Sequence, residues 1–288
     1  MLEKTTDYWV HDWSPFLFQF PENPLGLEGI RYYGLAYLIG FCFTGYFLYL
    51  CQKKNKLSLS AKERSDLLSY LILGVLIGGR AGYLLLYDFT DFIAKPWLFF
   101  RIDQGGMASH GGILGACLGT LLFAHRRKLS ALQIGDALVA ISPLGLLIGR
   151  FANFINGELW GKITTVPWAV LFPNSPMLYS ELTGYYGIQP RHPSQLYALF
   201  SEGLIPLIYL QYRFWYTTYS IGQLVGEFLV LYSGLRILNE LFREPDASLI
   251  FGLSRGQAYS VILLIIGVAF LATRQRRTRT HSHLKRYR

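Results

Sequence analysis

Apolar residues gather in long windows separated by short polar connections, and each window approaches the roughly 20 residues that a helix needs to span the hydrocarbon of a bilayer. The windows run from Tyr33 to Cys51, Leu67 to Tyr87, Met107 to Ala124, Ala131 to Gly149, Leu196 to Tyr212, Ile221 to Leu238 and Gln257 to Thr273. This pattern predicts an all-α polytopic membrane protein with about seven transmembrane helices. The third window is short and opens on glycines, so its first turn is expected to be irregular or re-entrant backbone buried in protein. Pro143 and Pro206 each delete a backbone donor and are expected to kink the fourth and fifth windows. No linker, low-complexity tract or convincing repeat divides the chain, and residues 1–288 read as one membrane-embedded domain.

Composition agrees with the pattern: of 288 residues, 52% are hydrophobic and only 16% are charged. The net charge of +9 would suit a nucleic-acid partner if it were clustered on a soluble face. Instead, Lys53, Lys54, Lys56, Lys62 and Arg64 follow the first window, Arg126, Arg127 and Lys128 follow the third, and Arg213 follows the fifth. A basic tail of residues 274–288 follows the seventh. Positive connections mark the cytoplasmic side, so the N-terminus is expected outside and the C-terminus inside, near anionic lipid, with no nucleic-acid role. The less basic connection of residues 162–194 carries Trp168, Tyr179, Tyr185, Tyr186 and several prolines, and is read as a small extracytoplasmic cap. The first twenty residues lack the basic start, apolar core and cleavage site of a signal peptide, so insertion is expected to use the helices themselves and the mature chain to be the whole chain. Cys42, Cys51 and Cys117 fall in apolar windows without metal-ligand spacing and are expected to be buried, inert thiols.

Against this apolar background the polar residues stand out. The stretch Gly149 to Gly161, GRFANFINGELWG, brings Arg150, Asn153, Asn156 and Glu158 to the end of a window. An uncompensated polar side chain is costly there, which makes the cluster a candidate site. If the helix continues past Gly149 at about 100° per residue, Arg150, Asn153 and Gly157 share a face, with Glu158 to one side. Given the alternating topology, Arg80, Arg150 and Arg236 all fall in the outer parts of their windows, while Tyr33, His110 and the group Arg191, His192, Gln195 and Tyr197 open the windows that run the other way. A single arginine near a span end ordinarily snorkels to the interface. Three at one depth point to a bound anion, because a guanidinium offers planar paired donors to a phosphate, and a phospholipid headgroup is the anion available there. His110, in GGMASHGG, is a candidate general base or acid, set against a histidine that merely bonds a carbonyl. Its flanking glycines serve equally well as helix-packing surfaces. Arg236 and Glu240 form an i,i+4 pair, and Glu227 is an intramembrane acid with no partner evident in the sequence.

Taken together, GRFANFINGELWG, GGMASHGG, RHPSQLY at Arg191 to Tyr197, LIGGRAGYLLLYD in the second window and YSGLRILNELFREPD from Tyr232 closely resemble the bacterial prolipoprotein diacylglyceryl transferases. The match covers most of the chain in the expected order. The resemblance implies a seven-helix inner-membrane enzyme with a periplasmic head. Such an enzyme moves the diacylglyceryl group of phosphatidylglycerol onto the lipobox cysteine of a prolipoprotein signal peptide, forming a thioether and releasing glycerol phosphate. It implies functional positions at Tyr33, His110, Arg150, Asn153, Glu158, Gly161, Tyr232, Arg236 and Glu240. Two departures are visible: Ala198 follows RHPSQLY where an acidic residue is common, and Glu227 stands where an apolar residue is expected.

The implied chemistry needs a thiolate, since a free cysteine titrates near about 8.5, and stabilisation of a leaving phosphate. Arg150 and Arg236 are candidates for the phosphate, with Arg80, Asn153, Glu158, Gly161 and Tyr232 as further lipid contacts. His110 is the candidate base, with Tyr33 or Glu240 positioning it or the lipid, and which of the three handles the proton stays open. Direct attack needs no covalent enzyme intermediate, and no metal or cofactor is expected. A transporter built from repeated halves, an intramembrane serine protease and a scaffold protein are the competing classes. The first lacks a repeat, the second lacks a GxSG serine, and the third leaves the outer arginines unexplained.

Overall fold

The computed structural model describes residues 8–21, 28–101, 106–245 and 249–286, without the side chains of Ser109 and of residues 275–286. Gly105 of GGMASHGG, Asp246 of the motif from Tyr232 and the side-chain charges of the tail beyond Arg274 lie outside the described residues. Every apolar window is carried by helix. In chain order the helices are α1 (Tyr32–Lys53), α2 (Ala61–Leu86), the short α3 (Phe89–Ala94), α4 (Ser109–Arg127), α5 (Ala131–Ile155), α6 (Ser194–Ala198), α7 (Ile205–Tyr216), α8 (Gln223–Asn239) and α9 (Arg255–Arg286). A 3-10 turn, Pro96–Phe100, follows α3, and a π-helical turn, Leu199–Leu204, joins α6 to α7. By length and composition α1, α2, α5 and the first 20 residues of α9 are able to cross a membrane. The other three windows fall short for identifiable reasons: α8 has 17 residues, α4 is diluted by glycine, serine, histidine and arginine, and the fifth window is interrupted by the π turn.

Kinks are expected at Pro143 and Pro206, and an irregular turn accompanies the second of them. Pro143 lies inside an α5 that continues to Ile155. Pro206 lies in the first turn of α7, directly after the π turn. A proline ring collides with the carbonyl four residues earlier, here that of Glu202, and the wider π turn relieves the collision. At the start of the third window, Gly106 to Ala108 are non-helical, with Gly106 at φ +76°, and regular helix begins at Ser109.

Contacts divide the chain into two compact units, one of residues 28–40 and 139 onward together with 8–21, the other of residues 41–138; α1 and α5 run through both. In the second unit α2 starts on a capping box, with Ser60 Oγ accepting from Glu63 N at 3.2 Å and Glu63 Oε2 accepting from Ser60 N at 2.8 Å. Its i,i+4 row Gly74, Gly78 and Gly82 meets Gly111 and Gly115 of α4, while Gly119 meets the backbone of Tyr70. The approach is so close that a Cβ on Gly115 would stand 1.8 Å from the Gly74 carbonyl oxygen, and one on Gly111 2.2 Å from that of Gly78. Small residues thus form the contact, as expected where lipid removes the hydrophobic drive between helices. The large apolar side chains Ile113, Leu114, Leu118, Leu121 and Leu122 point outward from α4, as lipid-facing residues do. The same solvent explains the thiols: Cys51 is buried, but Cys42 and Cys117 lie on outward faces, which corrects the expectation that all three are enclosed.

In the first unit α8 packs on α9 through Gly226 and Gly267. Glu227 of α8 acquires the partner that the sequence did not reveal: its Oε2 accepts from Arg213 Nε at 2.9 Å and its Oε1 from Arg213 Nη2 at 2.7 Å. Tyr209 Oη at 3.1 Å and Gln223 Nε2 at 2.8 Å complete the set. The chain is not wholly α. Strands β1 (Trp9–Val10), β2 (Phe16–Gln19), β3 (Gly29–Arg31), β4 (Val170–Leu171), β5 (Met177–Ser180), β6 (Tyr185–Ile188) and β7 (Pro190–Arg191) build small sheets in the order β1-β4-β7, β2-β3 and β5-β6. Residues 162–194 contribute four of them, so the segment between α5 and α6 is a β structure. Within it the fully buried Gln189 donates to the carbonyls of Leu178, Tyr185 and Gly187 and so closes the β5-β6 hairpin.

Gly115→Val is expected to destabilise the protein by more than the about 1–3 kcal/mol typical of overpacking, because the obstruction is backbone and cannot rotate away. Gly145→Ala, where a Cβ would meet nothing within 4 Å beyond its own helix backbone, should be tolerated. Thermal unfolding of both variants in detergent checks the contrast.

Candidate active site

The site grows out of the way α5 ends. The helix reaches Ile155, so Arg150 and Asn153 share a face as the spacing predicts. Gly157, at φ +61°, then takes a left-handed conformation that favours glycine, and Leu159 follows at φ +56°. This turn brings Glu158 back over the helix, with its backbone N bonded to the Asn153 carbonyl at 3.2 Å. Asn153 Nδ2 donates to Glu158 Oε1 at 2.8 Å and also to the Tyr33 hydroxyl. The Tyr33 hydroxyl in turn faces the Glu158 carboxylate, so Tyr33, Asn153 and Glu158 form one polar group.

Arg150 is held by another residue. Its Nε and Nη2 donate to Oε2 of Glu202 at 3.2 and 2.9 Å. The other oxygen, Oε1, accepts from Arg236 Nη1 at 3.0 Å and Asn239 Nδ2 at 3.1 Å. Glu202 is fully buried and stands between two arginines from α5 and α8. It lies in none of the sequence motifs, although an acid inside an apolar window, like Glu227, is the signal that marks it. Among the described residues Glu202 is the acid paired with Arg150. The i,i+4 pair expected of Arg236 and Glu240 is present, with Nη2 and Oε1 2.5 Å apart. Glu240 also accepts from Ser254 Oγ at 2.5 Å and lies 3.6 Å from Arg243 Nη1. Tyr232, one turn before Arg236 on α8, stacks on Phe228.

Gly161 is where three motifs lock. Its N donates to the His192 carbonyl at 2.8 Å, Lys162 N donates to the Phe242 carbonyl at 2.8 Å, and Gly161 bridges to Arg243. A Cβ there would meet the His192 and Phe242 carbonyl oxygens at 2.5 and 2.6 Å, so a side chain is excluded. Arg191, almost fully buried, donates to the Gly161 carbonyl and to Glu244, both at 3.1 Å. Gln195 Nε2 bonds the Glu158 carbonyl at 2.6 Å, and Ser194 Oγ that of Leu159 at 3.0 Å. RHPSQLY therefore serves as a brace that fixes the GELWG turn. On the far side of that turn, His11 packs on Phe154 and Phe172 and lines Gly157, which ties the N-terminal strand to the same place.

Arg80 and His110 belong to the second unit. Arg80 is buried, and its Nε and Nη2 donate to the Leu98 carbonyl and its Nη1 to that of Gly106. All three guanidinium nitrogens of Arg80 thus have backbone partners. The clamp fixes the approach to α4, where His110 lies in the exposed part of the first turn.

Arginines held against a fully buried carboxylate among long apolar helices define a helical membrane protein with a charge-dense site. A sequence model described as prolipoprotein diacylglyceryl transferase matches residues 23–273, and the chain belongs to that family. It is 44% identical over 250 residues to a phosphatidylglycerol–prolipoprotein diacylglyceryl transferase of Pseudoalteromonas translucida, covering 86% of this chain and 89% of that one. Proteins of the same name from Legionella pneumophila (strain Lens) and Proteus mirabilis are 42% and 38% identical, covering 85% and 90% of this chain and 92% and 94% of theirs.

Among the residues around Gly161, burial and the nearby Lys162 hold the His192 imidazole below the usual histidine range. A histidine pKa depressed by folding means that the unfolded chain binds a proton that the folded chain does not. Stability therefore falls as pH drops through the ordinary value near about 6.5 towards the folded value. Thermal unfolding between neutral and mildly acid pH should show a smaller acid loss in His192→Gln than in the wild type.

Proposed function

We propose that this chain transfers the diacylglyceryl group of phosphatidylglycerol to the thiol of the lipobox cysteine in prolipoprotein signal peptides. The sulfur–carbon bond forms as the bond between the glycerol carbon and the phosphate oxygen breaks. The electron pair leaves with glycerol phosphate, and the thiol proton passes to a base. The observation that carries this reading is the buried Arg150–Glu202–Arg236 bridge, which aims two guanidinium groups at one place inside an apolar surround. Charge that develops on a leaving phosphate is stabilised most by donors already in position and shielded from water. Arg150 and Arg236 receive the phosphate. Tyr33, Asn153 and Glu158 hold the glycerol and ester oxygens, Gly161 keeps their turn closed, and Tyr232 lines the headgroup region beside Arg236. His110, Tyr33 and Glu240 are the candidates for the base that generates the thiolate, and Glu240 is in addition the partner of Arg236.

The same reading has seven membrane crossings in a single catalytic domain, α4, α8 and the α6 to α7 segment completing the set begun by α1, α2, α5 and α9. The basic connections support an N-terminus outside and a cytoplasmic tail in the bacterial inner membrane, with residues 162–194 as a periplasmic cap beside the site.

Incubation of the purified protein with labelled phosphatidylglycerol and a lipobox peptide should place label on the peptide cysteine, and a cysteine-to-serine peptide should stay unlabelled. Arg150→Ala is expected to abolish transfer while the protein remains folded, and wild-type turnover by that variant would exclude Arg150 as the phosphate ligand. In His110→Gln the pH dependence of turnover should change; an unchanged profile removes the histidine from proton transfer.

A further inference from the structure

We propose that Glu202 is a positioning residue of the transfer site, whose buried carboxylate binds Arg150 of α5 to Arg236 of α8 so that the two meet the lipid phosphate as one preset cradle. The inference rests on the reading of these arginines as phosphate ligands.

The bridge is divided cleanly. One carboxylate oxygen takes both donors from Arg150, and the other takes Arg236 and Asn239. No side-chain surface of Glu202 is exposed, so its charge is compensated by these partners rather than by solvent. The chain is shaped to deliver it. The π turn re-aims the residues between α6 and α7, and π turns inside helices are common at functional sites. The next residue, Gly203, is pressed against α5, where a Cβ would stand 2.7 Å from Leu147 Cα. Glu202 is thereby held one turn along α5 from Arg150, a distance its side chain can bridge.

The two arginines are not equally dependent on it. Arg236 is braced a second time by Glu240, whereas Glu202 is the one acid paired with Arg150 among the described residues. Arg150 is also the more accessible of the two, with 15% of its side chain exposed, and Nη1 is the nitrogen not used on Glu202. Removing the carboxylate therefore releases the guanidinium that stays available to a ligand. Because the phosphate monoester that departs is more negative than the diester that arrives, two guanidinium groups held in place stabilise the transition state more than the bound lipid.

The test compares Glu202→Gln and Glu202→Asp with the wild type and Arg150→Ala in the labelled-lipid assay, with thermal unfolding measured on each. Glutamine keeps the shape but presents an amide donor to one guanidinium. Aspartate keeps the buried charge, and with it the fold, but is too short to reach both arginines. Both variants are expected to lose about 100-fold in kcat, the scale of a small misplacement at a reacting centre, with KM for the peptide unchanged. Arg150→Lys/Glu202→Gln should be no worse than Arg150→Lys, because both changes act on the same guanidinium. Wild-type kcat in Glu202→Asp, or a loss in Glu202→Gln that disappears after correction for the folded fraction, would reduce Glu202 to a structural counter-ion and overturn the inference. If Arg150→Ala retains transfer, the phosphate reading itself fails. If Arg150→Ala is inactive while both Glu202 variants turn over like the wild type, the inference alone fails.

Discussion

A charge placed among apolar helices must meet a counter-charge or hydrogen-bond partners, and that requirement organises the interior of this protein. Placing an arginine or aspartate at the centre of a membrane helix costs about 2.5–3.5 kcal/mol on insertion scales. The structure answers the cost in three ways. Arg80 is surrounded by backbone carbonyls, Arg213 and Glu227 neutralise each other across α7 and α8, and Arg150, Glu202, Arg236, Glu240 and Arg243 form a chain of alternating charge. The first two arrangements satisfy every charge locally and hold elements together. The third ends in Arg150, whose guanidinium is only partly covered and whose Nη1 is not used on Glu202.

Ionic groups can be held in such an array because the surrounding helices are fixed by other means. Between α2 and α4, glycine rows bring backbones into direct contact, and the bulky residues turn outward. That distribution inverts the one found in water, because lipid solvates leucine as well as a neighbouring helix does. Around the site, the rigid part is backbone pairing: the Trp160 to Lys162 segment is threaded between His192 and Phe242, leaving Gly161 no room for a side chain. Arg191, Ser194 and Gln195 then hold the turn that carries Glu158. Preorganisation of this kind is what electrostatic catalysis requires, since donors that had to move during the reaction would lose most of their advantage.

The π turn shows how a local sequence conflict is put to use. Pro206 cannot continue a regular helix without striking the Glu202 carbonyl, and the widened turn that resolves the conflict also re-aims Glu202. The irregular turn at Pro206 is also the place from which a buried carboxylate reaches the arginines. Gly157 works similarly at the end of α5, where a left-handed residue returns Glu158 to Asn153, five positions earlier.

The sequence by itself determined the helical windows, the helix through Arg150 and Asn153, the Arg236–Glu240 pair and the family, because each of these rests on local periodicity or contiguous motif. The sequence suggested neither the strands of the 162–194 segment nor the partner of Glu227, since both arise from residues brought together across the fold. Only the tertiary structure decided that Glu202 rather than Glu158 meets Arg150, that Arg80 clamps carbonyls, and that RHPSQLY braces a turn. The physical reason is that counter-charge partners are chosen by distance in space. Arg150 and Glu202 are 52 residues apart in the chain and 2.9 Å apart in the structure, a proximity that no helical spacing encodes.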